Sequence, residues 1–301
     1  MSSKGKWVPE GMISALPTPF YADESINFDA YKKLIDYVIE NGMHSVLAGG
    51  STGEYHVMTL DERKSVIQKA CEFAAGRAPV IAGTGRYTAK DTIELTEYAA
   101  KCGASAGLVL PPYYQTTSRQ GIIDFYREIA ANAPIGIIAY NYPSATAVTL
   151  DPELCLELAQ LDGIVCIKDT DDGMHTCETV ALTKGIEGFS VVNGFEFLII
   201  PTLAIGAQGT MGITHNVVPK EMVQIYDYMM ANDWKAAAEI NQKLYKLNKY
   251  MEYEPYPGPI KAALEMIGIE AGPVRKPLTQ TSEGLKAKIR EELVALGYDV
   301  K

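Results

Sequence analysis

The feature that most constrains this 301-residue chain is a repeated alternation of short apolar runs with longer amphipathic stretches. Runs at 12–16, 45–48, 79–82, 107–110, 135–140, 164–168, 189–193 and 208–213 read as strands. Between them, 27–41, 59–75, 88–102, 118–132, 151–161, 174–184 and 196–205 read as helices. The first of these places Tyr31, Leu34, Ile35, Val38 and Ile39 on one helical face. Thr59 and Glu62 make the T-x-x-E pattern of a capping box, and Pro152 stands in a first turn. The apolar runs are continuous rather than alternating, so the strands are covered on both faces, as parallel strands are. Units of about 25–30 residues in this order predict a (β/α)8 TIM barrel over residues 1–218. A doubly wound open sheet comes second, because Gly83-Thr-Gly85-Arg lacks the third glycine of a dinucleotide fingerprint. From 219 on, the stretches 219–230, 234–251, 260–267 and 282–296 are helical only. They predict a C-terminal helical extension, 219–301, packed on the barrel.

Composition removes several functions. A hydrophobic content of 47% suffices for a large core. The net charge of −10, without a basic run, argues against nucleic acid or an anionic membrane as partner. No stretch reaches the roughly 18 apolar residues of a membrane span. The charges of Met1-Ser-Ser-Lys-Gly-Lys-Trp7 are followed by no apolar segment, so no secretory leader is expected. Cys71, Cys102, Cys155, Cys166 and Cys177 are scattered and odd in number, which reads as free thiols in a reducing cytoplasm. His44, His56, His175 and His215 form no H-x-x-x-H pair, so no metal site is expected.

In a barrel of this kind the chemistry sits at the C-terminal ends of the strands. The sixth run ends in Lys168-Asp-Thr. A buried lysine is rare, because desolvating an ammonium is costly. Free lysine titrates near ~10.4, and burial lowers that value until the neutral amine can attack a carbonyl. The same segment read alone also allows a lysine whose ammonium reaches solvent past a strand end. The second run leads into Gly49-Gly50-Ser51-Thr52-Gly53-Glu54, either an anion-binding nest or an ordinary turn with a hydroxyl cap. The fifth ends at Tyr140, which either moves protons in the barrel mouth or packs with its hydroxyl to water. Tyr113 and Tyr114 follow the fourth and point opposite ways, toward the mouth, a packing neighbour or an interface. Gly206-Ala-Gln-Gly-Thr-Met211-Gly lacks the Gly-Lys-Ser/Thr ending of a phosphate loop, so tight packing at the barrel closure is the better reading.

Taken together, G-S-T-G-E, P-Y-Y, Y-N-x-P and I-K-D-T, in that order between Gly50 and Thr170, resemble the pyruvate-dependent class I aldolase family of dihydrodipicolinate synthase and N-acetylneuraminate lyase. The likeness runs from about Pro9 to the C-terminus. It implies a barrel subunit, a homotetramer built as a dimer of dimers, and no metal or organic cofactor. It also implies that Lys168 is the Schiff-base lysine and Tyr140 the proton shuttle. Ser51, which also joins the catalytic set, and Thr52 would hold the pyruvate carboxylate. Tyr114 would complete a proton relay across the tight dimer interface, and Gly50, Gly194 and Met211 would line the substrate site.

Within that family, the synthases carry an arginine two residues after the proline of Y-N-x-P, where this chain has Ala145. The sialic acid lyases place adjacent acids after the strand-seven glycine, where this chain has Gly194-Phe-Glu196-Phe197. Ile213 replaces a family serine, while the G-G-S-T-G-E form is itself similar to the sialic acid lyases. Tyr140-Asn-Tyr-Pro-Ser-Ala-Thr with Lys168-Asp-Thr looks more like the 2-keto-3-deoxy-sugar-acid aldolases. The segments 257–263 and 272–278 resemble the synthase C-terminus and are read as structural. The leading expectation is an aldolase joining pyruvate to an aldehyde, acting on a hydroxylated 2-oxo acid such as a 2-keto-3-deoxy sugar acid. Dihydrodipicolinate synthase, using aspartate semialdehyde, is the alternative. An N-acetylneuraminate lyase-like enzyme and a non-catalytic pyruvate-binding homologue stand behind them.

Overall fold

A computed structural model describes residues 5–115 and 117–301. The elements in chain order are β1 (Gly11–Ala15), α1 (Phe28–Glu40), β2 (Ser45–Ala48), α2 (Leu60–Ala74), β3 (Val80–Gly83), α3 (Ala89–Cys102), β4 (Ala106–Val109), α4 (Arg119–Asn132) and β5 (Gly136–Asn141). There follow α5 (Pro143–Thr146), α6 (Pro152–Ala159), β6 (Ile164–Asp169), α7 (Gly173–Thr183), β7 (Ser190–Asn193), α8 (Ile199–Ala204), β8 (Gly209–Gly212), α9 (Pro219–Met230), α10 (Trp234–Tyr250), α11 (Gly258–Met266) and α12 (Glu283–Ala295). The eight strands are parallel and follow one another in chain order around a closed barrel, the (β/α)8 fold with C-terminal helices that the alternation predicts.

Local chemistry explains where the helices begin. Thr59 accepts from the Glu62 amide while the Glu62 carboxylate accepts from the Thr59 amide, so the capping box is complete. Asn27, Thr88, Ser118, Asp151, Asp172, Asp233 and Ser282 each accept an amide of the following first turn. Every residue of β1 to β8 is buried, which is why the runs show no polar alternation.

The chain divides into two compact units. One holds the residues up to Gly11 together with Pro79–Met211, and the other holds Met12–Ala78 with Gly212–Lys301. In the first, α4 and α6 pack on the outer faces of β4 to β6 through Ile122, Tyr126, Ile129, Leu154 and Leu158, against Val109, Ile137, Ala139, Ile164 and Ile167. Side chains alternate across a strand, so Tyr140 and Lys168 project to the opposite side from Ala139 and Ile167. Gly209 meets Gly11 so closely that a Cβ would lie 2.1 Å from the Gly11 carbonyl oxygen. The glycine-rich segment is used for backbone approach there. In the second unit, α9, α10, α11 and α12 share their compact body with β1, β2, α1 and α2.

Two local expectations change, and one short helix is new. The helix expected over 196–205 is a 3-10 turn, Glu196–Leu198, followed by the short α8. Ile213 has left β8 and takes a helical backbone conformation. The four-residue α5, opened by Pro143, was not legible because it is too short to show periodicity. No helix among the described residues is long and apolar enough to cross a membrane. All five cysteines are free.

Candidate active site

Lys168 sits near the end of β6, after Ile164-Val-Cys-Ile. Its register partners are Tyr140 on β5 and Val192 on β7. It is 6% exposed, and its Nζ lies 4.2 Å from the centre of the Tyr140 ring. The Lys168 side chain makes no hydrogen bond or ion pair among the described residues. Burial pushes its pKa down to about 7, against the opposing pull of the buried Glu196 carboxylate. A large share of Lys168 is therefore the neutral amine at physiological pH, where an ordinary lysine holds almost none.

Tyr140 is buried and stacks on Tyr142, with ring centres 5.6 Å apart. Burial raises its phenol pKa, opposed by a hydrogen bond that the Thr170 hydroxyl donates at 3.5 Å. The phenol thus keeps its proton at neutral pH beside an amine of which a large share has lost its own. Thr170 is placed in turn by its amide, which donates to the Asn141 carbonyl at 2.9 Å. Gly194 donates its amide to the Asp169 carbonyl at 2.7 Å, and a Cβ on it would fall 1.8 Å from the Thr170 hydroxyl oxygen. Glycine is required there for close approach, which gives Gly194 a packing role that the sequence did not reveal.

Behind the pair, on the outer side of the sheet, Asp169 is fully buried. It accepts from Asn141 at 2.8 Å, from the Thr176 hydroxyl at 2.6 Å and from His175 Nδ1 at 3.0 Å. The other nitrogen of His175 lies 2.9 Å from the Leu150 carbonyl oxygen. Both partners are acceptors, so the geometry calls for a proton on each ring nitrogen and hence an imidazolium. Burial alone would lower the His175 pKa, but the Asp169 hydrogen bond and charge outweigh it and the net shift is upward. This network ties β5, β6 and α7 together directly behind Lys168. Residue spacing carried no signal for it, since its members come from four segments.

In the other unit the turn after β2 is sharply bent. Gly49 has φ +66°, and the amides of Gly53 and Glu54 donate at 3.0 Å to the carbonyls of Gly50 and Ser51. A Cβ on Gly50 would meet Leu47 Cδ2 at 2.8 Å. The amides of Ser51 and Thr52 and the Ser51 hydroxyl have no hydrogen-bond partner among the described residues. Unpaired adjacent donors of this kind suit an anion. The Thr52 hydroxyl is hydrogen-bonded to the Tyr256 phenol.

The structure therefore brings Lys168 and Tyr140 together, with Gly194 close behind and Met211 buried on β8. Tyr114 stands apart. It is 87% exposed, has φ +71°, and makes no hydrogen bond or ring contact among the described residues. Its neighbour Tyr113 packs edge-on against Tyr87. Thr170, Asp169 and His175 were missed, although Asp169 and Thr170 lie within the I-K-D-T motif itself.

Residues 8–296 match the dihydrodipicolinate synthetase family. The chain is 35% identical over 290 residues to a 4-hydroxy-tetrahydrodipicolinate synthase of Methanoculleus marisnigri, covering 96% of this chain and 99% of that one. It superposes on the dihydrodipicolinate synthase of Aquifex aeolicus with a TM-score of 0.93 and 34% identity, over 97% of this chain and 100% of that chain. It superposes on the chloride-inhibited enzyme of Acinetobacter baumannii, complexed with pyruvate, with a TM-score of 0.91 and 32% identity, over 96% of this chain and 99% of that chain. A barrel with an unpaired buried lysine against a tyrosine on the neighbouring strand, matched along nearly its whole length, belongs to the dihydrodipicolinate synthetase family of pyruvate-dependent class I aldolases and lyases.

Proposed function

We propose that this chain joins pyruvate to an aldehyde, or runs the reverse cleavage, through a Schiff base on Lys168. The observation that carries this reading is the buried amine of Lys168, unpaired, pushed to about 7 and set against Tyr140. The Lys168 nitrogen adds to C2 of pyruvate, and loss of water leaves an iminium. The iminium draws electrons from C3, a C3 proton leaves, and the enamine attacks the aldehyde carbon. Water then hydrolyses the product iminium and returns the amine. The Tyr140 hydroxyl carries protons in these steps, because it is protonated and belongs to the ring that lies against the reacting nitrogen. Ser51 and Thr52 hold the carboxylate, and Gly50, Gly194 and Met211 complete the lining. Tyr114, exposed in a single chain, is assigned to the proton relay across a dimer contact within a homotetramer. The setting proposed is the cytoplasm, with no cofactor.

For the acceptor, the relatives named 4-hydroxy-tetrahydrodipicolinate synthase support the synthase reading, pyruvate with aspartate semialdehyde. This puts it ahead of the sugar-acid reading that the motifs around Tyr140 favoured. One observation keeps the second reading in play. Ala145, exposed in α5, offers only a methyl group where an anionic acceptor would gain from a bidentate guanidinium. Pyruvate with borohydride is expected to leave a reduced adduct on Lys168, the mass of pyruvate less water plus two hydrogens, and an unmodified Lys168 would remove the Schiff base from the mechanism. Pyruvate consumption with aspartate semialdehyde against glyceraldehyde decides the acceptor. Turnover with glyceraldehyde alone would sink the synthase reading.

A further inference from the structure

The turn after β2 is gripped by residues far away in sequence. The Glu54 backbone is left-handed, with φ +59°, and its side chain is fully buried. Its carboxylate contacts Lys261 Nζ of α11 at 2.6 Å and accepts from the Arg275 amide at 2.9 Å. Lys261 also donates to the Pro273 carbonyl at 2.8 Å. The Arg275 guanidinium pairs with Glu62 on α2 and donates to the carbonyls of Val57, at 3.1 Å, and Glu24. Both cations sit over the ring of Phe20, Lys261 at 4.2 Å and Arg275 at 4.3 Å. The Thr18 hydroxyl adds a bond to the Gly53 carbonyl at 2.9 Å. Stability does not explain such a cluster, because a buried ion pair rarely outperforms apolar packing. What it does is hold one backbone path through Gly53, Glu54 and Val57.

Tyr256 completes the grip at the working end. Its phenol is bonded to the hydroxyl of Thr52, inside the pair of unpaired amides. A phenol is the better donor of the two. With Tyr256 donating, the single Thr52 proton is left to point at another acceptor, and the bond strengthens Thr52 as a donor. We infer that Tyr256 is a positioning residue for the 2-oxo-acid carboxylate, orienting the Thr52 hydroxyl while Glu54, Lys261 and Arg275 hold the turn that carries it. This rests on the reading that Ser51 and Thr52 bind that carboxylate. The segments after α10 that looked merely structural are then part of the substrate site's support.

The test uses borohydride trapping of pyruvate at Lys168, read as the pyruvate concentration giving half-maximal adduct. Tyr256→Phe removes one oxygen atom and is expected to raise that concentration about fivefold. Adduct yield at saturation and melting temperature should stay unchanged. In a Thr52→Val background the same substitution should have no further effect, because its route through Thr52 is already gone. An unchanged half-saturation in Tyr256→Phe, or the same fold-rise in the Thr52→Val background, overturns the assignment. Should Tyr256→Phe fail to fold, Thr52→Val against Thr52→Ser reads the same hydroxyl, and equal half-saturation in the two overturns it as well. If the unmodified protein traps no pyruvate, the Schiff-base reading itself fails, which is a different result from trapping that ignores Tyr256.

Discussion

Lys168 and Lys261 are both buried lysines, at 6% and 2% exposure, yet their surroundings differ sharply. Lys261 has a carboxylate at 2.6 Å, a carbonyl at 2.8 Å and the Phe20 ring at 4.2 Å. Lys168 has the Tyr140 ring and, further off, the field of Glu196. Burial lowers both, to about 7 for Lys168 and about 8 for Lys261. The values alone do not separate them. The partners do, because a lysine whose protons are all engaged has no lone pair to offer, whereas an unpaired one has. A buried lysine signals chemistry only when its partner is missing, and otherwise signals architecture.

The comparison breaks most sharply at Lys168→Ala, which should abolish the borohydride adduct and lower turnover by orders of magnitude. Detectable adduct elsewhere in that variant would reassign the nucleophile. Tyr140→Phe should lower kcat by about 10²–10⁴ while trapping at saturating pyruvate persists. A wild-type rate would take Tyr140 out of the relay.

Stability should run the other way. Lys261→Met leaves Glu54 buried without its cation and should cost about 3–5 kcal/mol in urea unfolding. Lys168→Met, which breaks no pair, should be neutral or stabilising near pH 7. Equal losses in the two would mean that Lys168 is paired in solution. The smallest effect is in pH dependence. The Lys168 pKa falls from 10.5 to about 7 on folding. Between those values the unfolded chain still holds a proton that the folded chain has released, so stability rises with pH through that window. Below pH 7 both states are protonated and the burial penalty is complete. Lys168→Met should lack this slope, and the rate of adduct formation should rise with a midpoint near 7. A midpoint near that of a free lysine would contradict the buried, unpaired setting.

Much of the fold was legible because it is local. The strands follow the apolar runs, and most of the longer helices carry their own side-chain cap, as at Thr59 with Glu62. Lys168 and Tyr140 stood out as candidates because each closes its own run, and their proposed roles came only with the family resemblance. What was hidden depends on contacts between segments. The demand for glycine at 194 comes from Thr170. The charge on His175 comes from two acceptors on different elements. Lys261 and Arg275 stood in segments read as scaffold, and nothing near them in sequence pointed to Glu54. The break after Glu196 and the departure of Ile213 were missed because one helical turn has no period to detect.

The amino-acid order by itself determined the barrel, the family resemblance and the candidate amine, because these follow from periodicity and motif order along the chain. Only the tertiary structure decided which buried lysine is left without a polar partner and which is a strut. Proton affinity depends on what lies within a few ångströms of the nitrogen, and those neighbours come from strands and helices that the sequence does not place side by side.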